Sequence, residues 1–244
     1  MCLMSDEAFP HHLLGMVHLS NKIEQFGQLH GGSTVDAKIS LNDSYIFHEK
    51  GLCFSVTSEI FDNNSQKLLW RNECVMLQRM KIEIPTGENA YESKLKETDI
   101  AGLTEKERWF LTSNMGRKYA LASGDYNPIH LSAISARMFG FSQGAIIHGM
   151  WTKARAVASV LQTAPRNLIG LDSDCSSPVL DVFVEFKTPL FLPGEVSLSS
   201  GPLPVNNMAA FTSSDDRDGT LFQVRSVAGE QLPHVRGVFS WRKE

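Results

Sequence analysis

Only one stretch of this chain has the spacing of a long buried helix, and strand-like alternation lies on both sides of it. Ile147, Met150, Trp151, Ala154, Val157, Ala158 and Leu161 recur at steps of three and four. That spacing predicts a helix over residues 147–163 with one apolar face, stopped by Pro165. Before it, Val17, Leu19, Asn21 and Ile23 alternate within residues 14–24, and Gly31-Gly32 interrupts. Strands are then predicted over 34–41, 52–60 and 68–80, with a turn at Asp62-Asn63-Asn64. After the helix, residues 179–187 read as a strand leading to Pro193-Gly194. Strands over 195–200 and around 208–212 follow, then a turn over 215–219 and a return strand over 221–228. Runs of strands around one helix predict an α+β fold.

The order of strands and turns in 14–80 is matched in 179–228, although the two sequences are barely similar. Residues 85–108 lie between them, rich in Glu, Lys, Thr and Gly with few apolar side chains, and read as a surface linker. The predicted organisation is a unit over 1–84, a linker over 85–108 and a second unit over 109–244; the alternative for the first unit is an unrelated small β domain. An asymmetry follows. The first strand pattern opens near residue 14, which leaves no room before it for a helix as long as 147–163. Either the first unit has lost its helix or the chain as given starts inside that unit.

Composition narrows the functional classes. At 244 residues, 42% hydrophobic and 20% charged, the chain is long enough for one large or two smaller globular units. A net charge of -4 and a pI near 6.1 give no pull toward nucleic acid or anionic membrane, and no like-charge block appears. Cys2, Cys53, Cys74 and Cys175 are scattered without a Cys-x-x-Cys pair and read as free thiols in a reducing compartment. His11 and His12 have no third ligand near them and read as surface residues, so no metal site is expected. Asp6 and Glu7 interrupt the N-terminus and no apolar run is long enough to span a bilayer. The expectation is a cytoplasmic protein without membrane insertion.

The chemistry concentrates in residues 119–151. Asp125 and His130 stand five positions apart in a run that also holds Gly124, Asn127 and Pro128. Gly124 permits an unusual backbone angle, Pro128 restricts Asn127 to extended backbone, and Asn127 can bond the neighbouring backbone. Such a turn can bring a carboxylate and an imidazole onto one small volume for proton transfer. The competing reading is structural, with Asp125 capping a helix suggested over 131–139 and His130 buried. Downstream, His148-Gly149-Met150 stands at the predicted start of the long helix. There the Gly149 N–H, backed by the helix dipole, can donate to an oxygen that becomes negative during reaction. Close packing alone would also explain that glycine.

Together these segments resemble the hydratase 2 signature of the MaoC-like family, the (R)-specific enoyl-thioester hydratases and 3-hydroxyacyl-thioester dehydratases. The matching residues are Tyr119, Ser123, Gly124, Asp125, Asn127, Pro128, His130 and Ala136, then Phe141, His148, Gly149 and Met150. The resemblance is strongest over 119–162 and extends more loosely to the C-terminus through the 184–194 segment. It implies the hot dog fold, an antiparallel sheet curled around one long helix, with two units fused in one chain and a reduced or missing helix in the first. It also implies reversible hydration of trans-2-enoyl thioesters to (R)-3-hydroxyacyl thioesters without a cofactor, on coenzyme A or carrier-protein substrates.

Under this resemblance Asp125 is the base, His130 positions water and relays a proton, and the Gly149 N–H holds the thioester oxygen. Asn127, Met150 and Trp151 are the candidate substrate contacts, with a core role open for the last two. His148 reads as a helix-start residue, Tyr119 as packing under the turn, and Ser123 and Ser142 lack the base that would make them nucleophiles. A homodimer is compatible with the fused pair, although fusion removes the usual need for one. The rival functions are a hot dog acyl-CoA thioesterase and a non-catalytic acyl-thioester binding module.

Overall fold

The computed structural model describes residues 9–10, 16–42, 44–83, 90–162, 180–204, 211 and 217–242. The first half contributes β1 (Met16–Gln25), β2 (Val35–Leu41), β3 (Ile46–His48), β4 (Gly51–Asp62) and β5 (Leu68–Arg79). The second half contributes β6 (Thr104–Leu111), α1 (Met115–Ser123), a single 3-10 turn (Pro128–His130), α2 (Ala133–Met138) and α3 (Gly149–Leu161). It closes with β7 (Leu180–Phe186), β8 (Gly194–Pro202), β9 (Arg217–Ser226) and β10 (Pro233–Arg242).

All these strands join one sheet in the order β2-β4-β5-β1-β7-β10-β9-β8-β6, with β3 pairing to the start of β4 on the side that β2 covers further along. Every pairing is antiparallel, and the halves meet where β1 pairs with β7 from Ser20 opposite Glu185 to Gln25 opposite Leu180. The fold is a double hot dog in which α3 is the long central helix of the second half. Among the described residues the first half holds no helix.

Alternation in the second half is explained by burial on both faces of its sheet. Val182, Val184, Phe222, Val224 and Phe239 point inward with Trp109, Leu111, Ala156 and Val160. Their neighbours Phe183, Leu221 and Val238 point outward and are covered by Leu95, Leu203 and Phe211. Leu95 belongs to the stretch expected to be a surface linker, and Ile100 of that stretch is buried too. Its anchoring is polar as well as apolar. The buried Glu185 accepts from the Lys94 N–H at 2.7 Å and the Ser93 hydroxyl at 2.7 Å, and Lys187 Nζ donates to it at 2.6 Å. β6 then begins at Thr104, inside the same stretch. Charged residues on the solvent side hide such a segment in a linear reading, because the few apolar side chains that fasten it, Leu95, Ile100, Leu103 and Tyr91, show no period.

The predicted helix over 147–163 corresponds to α3, but its buried face is turned from the expected one. Thr152, Lys153, Ala156 and Val160 are buried, while Ala154 and Ala158 are exposed. Trp151, Val157 and Leu161 pack at the margin. The side chains closest to the sheet are small ones, and Lys153 is accommodated because its Nζ donates to Asn21 Oδ1 on β1. Asn21 in turn donates to Asn72 Oδ1 at 2.5 Å, a partner on β5. Burial pushes the Lys153 amine down to about 7.

Other expectations meet the structure differently. The expected 215–219 turn is overtaken by β9, which is already under way at Arg217. Of the strand expected around 208–212, only Phe211 is described, as a turn. His11, His12, Cys2 and Cys175 lie outside the described residues, and Cys53 and Cys74 are free thiols. No helix among the described residues is long and apolar enough to cross a membrane.

Candidate active site

The Asp125 turn is built by three local devices. Gly124 ends α1 in the left-handed region at φ 73°, and its N–H caps the Ala120 carbonyl. Asn127 is extended at φ -55°, ψ 125°, as the following proline demands. Its side-chain oxygen accepts the Ile129 N–H at 3.3 Å, while its own N–H donates to Asp125 Oδ1 at 3.1 Å. The carboxylate is thereby oriented by the backbone two residues ahead of it.

His130 sits at the end of the 3-10 turn and is buried. Its Nδ1 lies 2.9 Å from the Ile146 carbonyl, which can only accept, so Nδ1 carries the hydrogen and Nε2 keeps a lone pair. Burial above all, then neighbouring His148, pushes its pKa down to about 4 against the opposing pull of the Ile146 carbonyl and Asp125. The imidazole is neutral at neutral pH.

His148, read from sequence as a helix-start residue, is the N-cap residue of α3 and also part of this cluster. Its ring stacks on His130 at 3.7 Å between centroids, and the Tyr119 ring meets it edge-on at 4.9 Å. Nε2 donates to the Asp125 backbone carbonyl at 3.0 Å and lies 3.8 Å from Asp125 Oδ2. Burial lowers its pKa, with Asp125 opposing. One atom each from Asp125, His130 and His148 falls within a 4.8 Å group, the only such His/Cys/Asp/Glu group among the described residues that could offer three ligands to a metal ion.

The next residue is Gly149, the first of α3. A Cβ there would stand 2.7 Å from Phe186 Cε1 on β7, so only glycine lets the helix start this close to the sheet. The first N–H groups of a helix have no partner within it, and the macrodipole makes this end positive.

These residues line one cavity of about 370 Å³. Asp125, Asn127, His130, His148, Gly149 and Met150 all face it. Trp151 does not. It packs edge-on to Trp109 in the second half's core, because its position on α3 looks toward β6 rather than toward the cavity. The opposite wall comes from the first half: Met16, Val17 and His18 on β1 with Met76 and Arg79 on β5. Nothing in the linear spacing could have found those five, since only the β1–β7 pairing brings them to the turn.

Comparison with known proteins was made against this geometry. Residues 97–188 match the family model described as the MaoC like domain. A relative, 3-hydroxyacyl-thioester dehydratase X of Mycobacterium tuberculosis, is 26% identical over 162 residues, covering 66% of this chain and 54% of that protein. The chain thus spans about half the length of that relative. A 35-residue stretch is 60% identical to the fatty acid synthase beta subunit aflB of Emericella nidulans, 14% of this chain and 2% of that one. The crystal structure of HtdX of Mycobacterium tuberculosis superposes with a TM-score of 0.68 at 21% identity, over 98% of this chain and 80% of that one. A MaoC-like dehydratase from Phytophthora capsici gives 0.65 at 16% identity, over 94% and 72%. The double hot dog of this chain agrees with both structures in fold.

Proposed function

We propose that this protein catalyses the reversible hydration of trans-2-enoyl thioesters to (R)-3-hydroxyacyl thioesters, in fatty-acid or related acyl metabolism. The observation that carries the reading is the convergence of Asp125 and His130 on a cavity whose wall also holds the first residue of α3. In the hydration direction Asp125 takes one proton from water as its oxygen bonds to the β-carbon, and the His130 Nε2 lone pair accepts a hydrogen bond from the O–H that stays on that oxygen. The alkene electron pair moves toward the thioester oxygen, where the Gly149 N–H stabilises the enolate-like charge by about 3 kcal/mol. The proton then passes from the Asp125–His130 pair to the α-carbon, so that the elements of water are added and the pair is restored. Dehydration is the same path reversed.

In this reading each chain has one active site. Residues 109–244 form the catalytic unit, 85–108 connect, and 1–84 form a non-catalytic unit that supplies the far wall of the acyl pocket. Asn127 holds the turn and Met150 contacts the acyl group. A reducing, cytoplasmic setting suits the free thiols Cys53 and Cys74. The thioester class is that of the Mycobacterium tuberculosis relative's activity, and the (R) configuration is what the resemblance to the hydratase 2 signature implies.

The test is crotonyl-CoA hydration, followed by loss of enoyl absorbance. Asp125→Asn and His130→Ala should each lower kcat by about a hundredfold or more while the thermal melt stays cooperative. Near-normal turnover in either variant would falsify the mechanism. Free thiol released in place of the 3-hydroxyacyl product would assign the site to a thioesterase instead.

A further inference from the structure

The segment that carries the site turns an unusual face to solvent. Among the described residues, the three most exposed large apolar side chains are Met138 at 80%, Ile134 at 76% and Leu121 at 75%. All three lie on α1 or α2. Tyr126 and Phe139 are exposed on the same segment. The pattern is regular. On α1 the inward side bears Tyr119 and Ser123 at the cavity, with Gly116 and Ala120 buried, while Lys118, Leu121 and Ala122 at i, i+3, i+4 look out. On α2 Ala136 is buried, while Ile134, Arg137 and Met138 look out at the same spacing. Arg117 ties α1 to the end of the 3-10 turn that leads into α2, donating to the Leu131 carbonyl at 2.9 Å.

Charge on this segment runs against the rest of the molecule. Over residues 112–148 the basic side chains are Arg117, Lys118 and Arg137, and the one acidic side chain is Asp125, turned to the cavity. The whole chain carries a net charge of -4. No described carboxylate forms an ion pair with any of the three cations. Exposed apolar side chains of this size, on a segment whose exposed Lys and Arg have no exposed acidic partner beside them in the chain, mark a surface that another macromolecule covers. A nucleotide carrier would use the cations but not Leu121, Ile134 and Met138, since its phosphates and sugar gain nothing from apolar contact. An acidic protein surface uses both.

We propose that the outer face of α1 and α2 docks an acidic acyl-carrier domain, which delivers its thioester to the cavity lined by the inner side of α1 and by the turn between the two helices. The inference rests on the hydratase reading and names the form in which the substrate arrives. Tyr119 and Ser123 of α1 line the cavity, and the turn that holds Asp125 and His130 joins α1 to α2, so a domain docked on these helices lies next to the site.

The experiment compares a crotonyl group carried on an acidic acyl carrier protein with crotonyl-CoA, using wild type, Lys118→Glu and the double variant Ile134→Asp/Met138→Asp. These three side chains contact neither the cavity nor its catalytic residues. Each variant should lower kcat/KM on the carrier substrate by about tenfold or more, through KM, and leave crotonyl-CoA turnover unchanged. Equal losses on both substrates, no loss on either, or wild-type turnover of crotonyl-CoA alone would overturn the proposal. Variants that dissociate a homodimer in light scattering, with carrier turnover intact, would assign the face to a second copy and overturn it too. If wild type acts on neither substrate, the hydratase reading has failed. Calorimetric titration with the apo carrier then decides docking by itself: binding that Lys118→Glu weakens upholds it, and no binding ends it.

Discussion

His130 shows how a single side chain's surroundings set what it can do. A buried imidazole with Nδ1 committed to the Ile146 carbonyl has one lone pair left for chemistry, and the stacked His148 makes a second positive charge there costly. Its pKa of about 4, against the ordinary 6.5, predicts that the rate holds as pH falls through 6.5 and declines only toward about 4. A kcat–pH profile falling around the ordinary value would contradict this. Stability follows the same sign. Between those two values the unfolded chain binds a proton at His130 that the folded chain refuses, so the fold loses stability as pH drops across the window, by on the order of 3 kcal/mol. His130→Gln should flatten that part of the melting-temperature curve against pH, because the refused proton is no longer in the balance.

Among the elements, α3 carries two jobs that share one end. In the proposed reaction its first residue donates an N–H into the cavity, and its start presses against Phe186 of β7 without a Cβ between them. Gly149→Ala therefore pushes the helix terminus off the sheet, at a cost of about 1–3 kcal/mol, and moves the donor away from the thioester oxygen. Melting temperature and kcat should both fall. Adding Phe186→Leu opens space under the new methyl and should return more of the stability than of the rate. If the double variant is no better than Gly149→Ala alone, the close approach is not what the glycine serves. The rotated buried face of α3 has a related cause. A contact tight enough for Ala156 and Thr152 to carry it leaves large apolar side chains at the margins, where a count of hydrophobic residues centres the stripe wrongly.

For the whole molecule, the β1–β7 pairing turns two units into one sheet and makes the cavity a shared property. Lys153 of α3, held by Asn21 of β1, is a second tie across the same boundary. The first half can therefore set substrate size without holding any catalytic group. Met76→Trp, on the far wall, should lower kcat/KM for long-chain enoyl thioesters by about tenfold relative to crotonyl-CoA. A panel of graded chain length measures this, and a uniform change across the panel would remove Met76 from the acyl pocket.

Local features were legible in the sequence because their causes are local. Gly124, Asn127 and Pro128 dictate the turn through backbone angles and bonds two residues long, and the periodicity of residues 147–161 announces a helix wherever it packs. The resemblance to the MaoC-like family rested on those same residues. What lay hidden depended on partners distant in the chain. His148 joined the site only once α1, the turn and α3 were brought together, Trp151 left it once α3 settled facing β6, and residues 90–103 proved anchored rather than free through Leu95, Ile100 and Glu185. The sequence by itself determined the Gly124–Pro128 turn, the central helix and strands such as β1, β2, β4, β5, β7 and β8, since each follows from spacing within a few residues. Only the tertiary structure decided which face of α3 is buried, which residues wall the cavity and how the halves join, because those follow from burial and pairing across more than a hundred residues of chain.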